Sequence, residues 1–369
     1  MTRSLPPSSF ATQGGEGDPD ARRSPSMIDV ARLAGVSPMT VSRVMNGKST
    51  VRASTRKKVA DAVAALNYAP NQEARSLAGS KPIRVGFLYS KPSGAYLAEF
   101  LLGLLSQASL NNVQLFVEEC EVGEPAIAQT RRLIDNQLDG MILPPPLCDI
   151  AQIIDLIAGA GMPLVVVACG QPDSRVNAVS IDDREAAYQM TRHLIELGHR
   201  RIGFVMGHPN QSVSAPRLAG YQAALREMGG DLSPELVVPG LFNYRSGLDA
   251  AELLLALPDR PTAIFASNDD MAAATVAVAH RLELDVPGDL TVSGFDDTAL
   301  ATTIWPTLTT VRQPIAEMAE TAVRCLVRQV QALRNQQAHQ VEHLFIDFTL
   351  IRRQSDAAPR VRPPVRAFA

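Results

Sequence analysis

The 369-residue chain is poor in cysteine, histidine and aromatic residues, and it has no long apolar run. Its four cysteines, Cys120, Cys148, Cys169 and Cys325, are widely and irregularly spaced. With no CxxC and no accompanying His pair, they exclude a disulfide framework and a zinc ribbon and read as buried thiols. The six histidines fall in no HExxH or comparable metal-ligand spacing, so no metal is expected. His199 follows Gly198 at the end of a helix and is assigned to capping and packing, while His193 reads as a helix-surface residue. No strand-like run leads into GxGxxG, and neither a Walker A loop nor a GxSxG elbow occurs. Neither an enzyme nor a cofactor is therefore expected. A membrane span needs about 18 consecutive apolar residues, and a secretory signal needs an apolar stretch of about 7 to 15 behind its basic residues. With neither present, the expected location is the cytoplasm, without a membrane partner. Residues 1–25 are rich in Pro, Ser and Gly and show no helical period, so they read as a disordered tail. A start codon placed too far upstream accounts for them equally well.

What the sequence does contain begins at Ser26. Ser26 and Asp29 fit a capping box, so a helix can start at Met27 and run to Gly35. Ser37 caps a second helix, Pro38 occupies its first position, where a missing N–H costs nothing, and Asn46-Gly47 supplies a left-handed stop. Val30, Ala34, Val41, Val44 and Met45 can turn inward, and small Ala31, Ala34 and Gly35 permit close helix contact. A third helix from about Ser54 to Leu66 places Val59, Val63 and Leu66 on one face. Met27–Ser80 carries eight basic residues against three acidic ones, a net +5; with the first 26 residues balanced and the chain at −3, the remainder stands at −8. A basic helix-turn-helix on an acidic body suits a head that releases counterions from DNA phosphates.

Together with NYAPNQEARSLAGS at 67–80, this motif resembles the LacI/GalR family of bacterial transcription regulators, over about residues 26 to 352. The resemblance implies a homodimer on a palindromic operator. Arg43 then enters the major groove, Pro38 and Met39 occupy the variable base-reading positions, and Ser37, Thr40, Ser42, Asn46 and Thr55 position phosphates. Asn71 to Ala78 forms a hinge too short to persist alone as a helix, since isolated helices need roughly 12–15 residues. By resemblance it orders in the minor groove, where Ala74 and Leu77 make contact and Leu77 wedges into a base step.

From Lys81 onward, short apolar runs alternate with amphipathic segments, the signature of parallel sheets flanked by helices. The runs are IRVGFLY, VQLFVEE, GMILP, PLVVVAC, VNAVSID, RIGFVM, TAIFAS and LTVSGFD. Helical segments are read at 95–110, 124–137, 149–160, 184–198, 215–228, 245–257 and 268–282. The expected fold is an all-α helix-turn-helix head plus an α/β two-lobed periplasmic-binding-protein-like body with two doubly wound parallel sheets. The domain reading is a tail at 1–25, a DNA-binding head at 26–69, a hinge at 70–80, an effector-binding and dimerisation body at 81–352 and a flexible tail at 353–369. Lobe 1 takes about 81–181 and 312–338, and lobe 2 about 182–311 and 339–352, with crossings near Ile181, Val311 and Ala338. The tail after Ile351 has prolines and no apolar heptads, which points to a dimer through the body.

Ligand is expected in the cleft outside the strands' carboxyl ends. The resemblance places Arg217, Phe242, Asn268 and Asp296 there, with Tyr96 and Asp182 as further candidates. A guanidinium fork, a diol-accepting carboxylate, an amide and a stacking aromatic suit a sugar. Gln211 and Val213 stand where purine-responsive relatives carry Arg and Thr, which speaks against a nucleobase. The expectation is a repressor of carbohydrate-utilisation genes released from its operator by a sugar-like effector. Another metabolic ligand or a corepressor remains open. A solute-binding protein for transport, the reading from another class, would need export and would not need residues 26–79.

Overall fold

The computed structural model describes residues 26–45, 51–66, 81–90 and 93–360. Asn46, Ala74, Leu77, the N-terminal tail and residues 361–369 lie outside them. The chain divides into two compact units, Met1–Lys81 and Pro82–Ala369.

The first unit contains α1 (Met27–Ala34), α2 (Pro38–Met45) and α3 (Ala53–Ala65). The Ser26 hydroxyl accepts from Asp29 N–H while the Asp29 carboxylate accepts from Ser26 N–H, so the two satisfy each other's orphan donors at the start of α1. Gly35 ends it in the left-handed conformation at φ 64°, a region open to glycine without steric penalty. Ser37 then starts α2 by accepting from Thr40 N–H at 3.2 Å. Val30, Ala31, Ala34, Val41, Val59 and Ala62 form the core, with Val44, Val63 and Leu66 against it. Met45, expected to turn inward, is exposed; Val41 and Val44 already close that face of a very short helix.

The second unit is built on two six-stranded sheets. One contains β1 (Ile83–Tyr89), β2 (Val113–Glu119), β3 (Gly140–Leu143), β4 (Leu164–Val167), β5 (Asn177–Ser180) and β11 (His343–Phe345), in the order β11-β5-β4-β3-β1-β2, all parallel. The other contains β6 (Ile202–Val205), β7 (Val237–Val238), β8 (Ala263–Ala266), β9 (Thr291–Asp296), β10 (Thr309–Arg312) and β12 (Thr349–Ile351), in the order β12-β10-β9-β8-β6-β7, with only β12 antiparallel. Both are doubly wound, with order reversing beside β1 and beside β6, the positions at which ligand crevices open. Central strands β3, β4, β6, β8 and β9 are buried at every residue, which is why they read as continuous apolar runs.

Helices cover the sheets. In the first lobe α4 (Gly94–Leu110) packs on α12 (Ile315–Arg334), a twenty-residue helix outside the segments read from sequence. In the second, α7 (Asp183–Glu196) packs on α8 (Ser214–Met228), and a Cβ at Gly220 would stand 2.1 Å from Arg184 O, so only glycine permits that approach. The chain crosses between lobes at 181–182, 313–314 and 346–348.

Two expectations are corrected here. The third crossing falls after Phe345, because β11 pairs with β5 and belongs to the first lobe. Residues 353–360 are not a flexible tail. Ser355 and Asp356 are buried, Ser355 Oγ accepts from Thr309 N–H at 2.9 Å, and Asp356 Oδ1 accepts from Thr309 Oγ1 at 2.9 Å, so these polar groups extend the sheet edge beyond β12. His193, read as a helix-surface residue, is half-buried, with its Nε2 2.6 Å from Asp356 Oδ2. His199 is buried between Thr262 and the carbonyl of Ala357.

Candidate effector cleft and DNA-facing helix

Helix α2 presents a short exposed edge. Pro38, Met39 and Arg43 are exposed, Met39 to 64%. Behind them Ser37 Oγ and Thr40 Oγ1 are hydrogen-bonded at 2.9 Å, while Ser42 and, on α3, Thr55 are half-buried. An exposed apolar methionine flanked by hydroxyls and one guanidinium gains little from water and can meet base edges, with the hydroxyls near phosphates.

The larger feature is a cavity of about 740 Å³ between the lobes of the body. Its walls are the loops and first helical turns following the carboxyl ends of strands in both sheets. From lobe 1 come Ser90, Tyr96, Pro146 and Asp149; from lobe 2 come Arg217, Phe242, Asn268 and Asp296, and Gln313 comes from the second crossing. Two cross-lobe links close its rim. Ser93 Oγ donates to Asp270 Oδ2 at 2.7 Å, and Ser212 N–H donates to Asp149 Oδ2 at 3.1 Å while Ser212 Oγ accepts from Gly170 N–H at 2.8 Å.

Arg217 is held rigidly. Nε donates to Asp183 Oδ1 at 2.7 Å, Nη1 donates to Ser267 O at 2.5 Å, and the guanidinium lies 3.6 Å from the centre of the Phe295 ring and 5.6 Å from that of Phe242. Both members of the ion pair are buried, at 4% and 5% exposure. Burial raises the Asp183 carboxyl above its ordinary range, and Arg217 pulls in the opposite direction. Asn268 caps α10 (Asp269–Arg281) by accepting from Met271 N–H, and its amide donates to Phe242 O at 3.1 Å, so it holds the Phe242 backbone as well as lining the cavity.

Asp296 ends β9 with φ 109°, and Phe242 and Ala168 also line the cavity at φ 56° and 50°. Left-handed backbone at residues with side chains is strained, and strain of this kind concentrates at ligand clamps. Burial holds the Asp296 carboxyl well above its ordinary range, Arg217 opposes this, and buried Asp269 adds to it. Asp269 itself is pushed up to about 7, mainly by burial, against hydrogen bonds from Thr310 and Thr298. Gln313 Nε2 donates to Asp296 Oδ1 at 2.5 Å. Among the described residues, four buried side-chain polar atoms have no hydrogen-bond partner, and two of them, Tyr96 Oη and Gln313 Oε1, belong to cavity residues. Burial pushes the Tyr96 hydroxyl up, so it stays a donor.

Five of the six sequence candidates for this cleft thus share one cavity: Tyr96, Arg217, Phe242, Asn268 and Asp296. Asp182 does not. It is exposed and caps α7 by accepting from Glu185 N–H at 2.9 Å, and the next residue, Asp183, meets Arg217 instead. The sequence alone leaves the choice between adjacent aspartates open until the helix start is fixed. Gln313 and Asp149 were missed, since both lie on connections without a motif; a polar residue at a lobe crossing is the one signal that could have found Gln313. Gln211 and Val213 do line the cavity.

Comparison with known proteins agrees with both parts. The sequence model described as "Bacterial regulatory proteins, lacI family" matches residues 26–71, and that of a "Periplasmic binding protein-like domain" matches residues 191–355. The chain is 34% identical over 305 residues to catabolite control protein A of Priestia megaterium, covering 82% of this chain and 92% of that protein. It is 32% identical over 307 residues to the ribose operon repressor of Haemophilus influenzae, covering 83% and 92%. Among solved structures, a transcriptional regulator CelR–cellobiose complex is similar with a TM-score of 0.68 and 30% identity, covering 90% of this chain and 99% of that one. The Lac repressor dimer bound to operator and the anti-inducer ONPF is similar with a TM-score of 0.67 and 28% identity, covering 91% and 100%. With its capped helix-turn-helix head, its two doubly wound lobes around a polar cleft and these near full-length likenesses, the chain belongs to the LacI family of bacterial transcription regulators.

Proposed function

We propose that the protein represses carbohydrate-utilisation genes, binding a palindromic operator as a homodimer and leaving it when a small neutral sugar enters the interlobe cleft. The supporting observation is the unmatched pair of Tyr96 Oη and Gln313 Oε1 beside Asp296. A buried donor and acceptor without partners are costly, and a polyol satisfies both at once while its neighbouring hydroxyls reach the carboxyl. Arg217 has Nη2 left for a ring or glycosidic oxygen after Asp183 and Ser267 take its other nitrogens. Arg217 is the only lysine or arginine among the described residues lining the cavity and Asp183 already neutralises it, so the cavity offers no free cation to phosphorylated or carboxylated effectors. A volume of about 740 Å³ accommodates a mono- or disaccharide. The ribose operon repressor and the cellobiose-bound regulator are relatives whose names carry sugars.

At the DNA, Arg43 is assigned to guanine, Pro38 and Met39 to thymine methyls or base edges, and Ser37, Thr40, Ser42 and Thr55 to phosphates. Asn46, Ala74 and Leu77 carry the phosphate and minor-groove roles that the family resemblance gives them. The sugar must bind the two lobe arrangements unequally, since equal affinity shifts nothing. Ser93–Asp270 and Ser212–Asp149 bridge the two lobes, so opening the cleft would break them. A cytoplasmic protein follows from this role. The deciding experiment is a thermal-shift screen of mono- and disaccharides, nucleobases and sugar phosphates on the full chain, followed by operator binding with each hit. Release by a neutral sugar supports the proposal; a nucleobase or sugar phosphate as the sole hit, or tighter operator binding with the sugar, overturns it.

A further inference from the structure

Cys148 and Cys169 are 21 residues apart in the chain, yet their sulfurs and a carboxylate oxygen of Asp149 all lie within 4.8 Å of one another. Topology brings them together: Cys148 sits in the turn Leu147–Asp149 beyond β3, Cys169 follows β4, and these strands are parallel neighbours. Cys169 Sγ stands 3.4 Å from Asp149 Oδ1 and 3.7 Å from Ser212 Oγ. For zinc, with metal–sulfur bonds of about 2.3 Å and metal–oxygen bonds of about 2.0 Å, a tetrahedron has S···O edges of about 3.5 Å and an S···S edge of about 3.8 Å. The observed sulfur–carboxylate edge already has that length. Both thiols are buried, at 5% and 3% exposure, whereas Asp149 lines the cavity and gives a path inward.

Nothing in the effector site calls for two thiols meeting beneath its wall.

We propose that Cys148, Cys169 and Asp149 bind a divalent cation of the zinc class, with the fourth position facing Ser212. Two thiolates select against magnesium and calcium, and the carboxylate selects against monovalent copper. Binding converts two thiols to thiolates, so two protons leave for each ion taken up. The ion shares Asp149 with Ser212, whose N–H donates to the same carboxylate from the second lobe, and so it acts on one of the links that close the cleft. The inference stands on the cluster alone and does not rest on the identity of the effector.

The test is an anaerobic titration of the reduced, metal-free full-length protein with cobalt(II). The expected result is one ion per chain, thiolate-to-cobalt charge-transfer absorption, the strong visible bands of a tetrahedral site, and displacement by zinc with two protons released per ion. Cys148→Ser and Cys169→Ser lose the charge-transfer bands, Cys325→Ser keeps them, and Asp149→Asn weakens binding at least by the roughly 10- to 100-fold that even an outer-shell partner is worth. A weak octahedral spectrum in the parent, or bands that survive Cys148→Ser, overturns the proposal. So does a reduced protein that takes up no cobalt but forms a Cys148–Cys169 disulfide in air, which makes the pair a redox couple instead.

Discussion

Arg217 and Asp183 form a buried ion pair whose two halves should fail differently. Asp183→Asn leaves a guanidinium that cannot shed its charge, buried against Phe295 with only Ser267 O as a strong acceptor. Breaking a buried pair in this way costs about 3–5 kcal/mol. Arg217→Met fills the space with an apolar chain and leaves a carboxyl, which can take up a proton. Its loss is then closer to that of one unsatisfied polar group, about 1–3 kcal/mol. That loss depends on pH. Burial already raises the Asp183 carboxyl and Arg217 is the group that lowers it, so removing Arg217 raises it further. Between the ordinary carboxylate value and the raised one, the folded protein holds a proton that the unfolded chain has released, and stability falls as pH rises. Each unit of the interval is worth about 1.4 kcal/mol. Urea unfolding followed by far-ultraviolet circular dichroism, at about pH 5 and about pH 7, should therefore show Asp183→Asn as the worse variant at the lower pH. Arg217→Met should lose ground to the parent at the higher one, and the double variant should recover part of the loss. A cost of Arg217→Met that is the same at both pH values would refute the reasoning, as would Asp183→Asn being the milder change at pH near 5.

Asp296→Ala should abolish the effector response in an operator-release assay while leaving operator affinity without ligand unchanged; a parental dose–response curve would remove Asp296 from the site. Arg43→Ala should reduce discrimination between the operator and a guanine-substituted operator by about 1–3 kcal/mol in competition binding, and retained discrimination would reassign the reading to other residues. Ser26→Ala removes the hydroxyl half of the capping box and should lower the stability of the head by about 1 kcal/mol in urea unfolding, whereas no change would mean that Asp29 alone caps α1. Sedimentation equilibrium without DNA should give a dimer, and a stable tetramer would contradict the reading of the heptad-free tail.

Much of this architecture could be read from local chemistry. Ser26, Asp29, Gly35 and Pro38 act through hydrogen bonds and dihedral limits set within a few residues, so the head's helices were legible almost to their ends. Strands buried on both faces, such as AIFA and GMIL, announce themselves by composition; Asp296 and Asn268, which the family resemblance placed in the cleft, lie at the end of one such strand and two residues beyond another. What escaped depends on distant partners. His343–Phe345 and Thr349–Ile351 are three-residue strands with no periodicity of their own, and only pairing with β5 and β10 makes them strands. Asp183 was hidden behind Asp182 because a one-residue shift at a helix start turns a cap into a buried partner. Arg200 and Arg201, adjacent like the two aspartates, likewise part ways: Arg200 Nη1 donates to Ile195 O, while Arg201 pairs with Asp231.

The segment around Ser355 and Asp356 bears on how the chain comes into being. The head draws its contacts from neighbouring helices and can form as soon as it has left the ribosome. The second sheet cannot: β9 and β10 wait for β12 and for Ser355, whose carbonyl and hydroxyl accept from Val292 N–H and Thr309 N–H. Such pairing between residues far apart in sequence is slow and comes late. During synthesis the protein therefore holds a finished DNA-binding head before it has a finished sensing body. The order of translation completes each reading head before the body that would pair it with a second one and govern it.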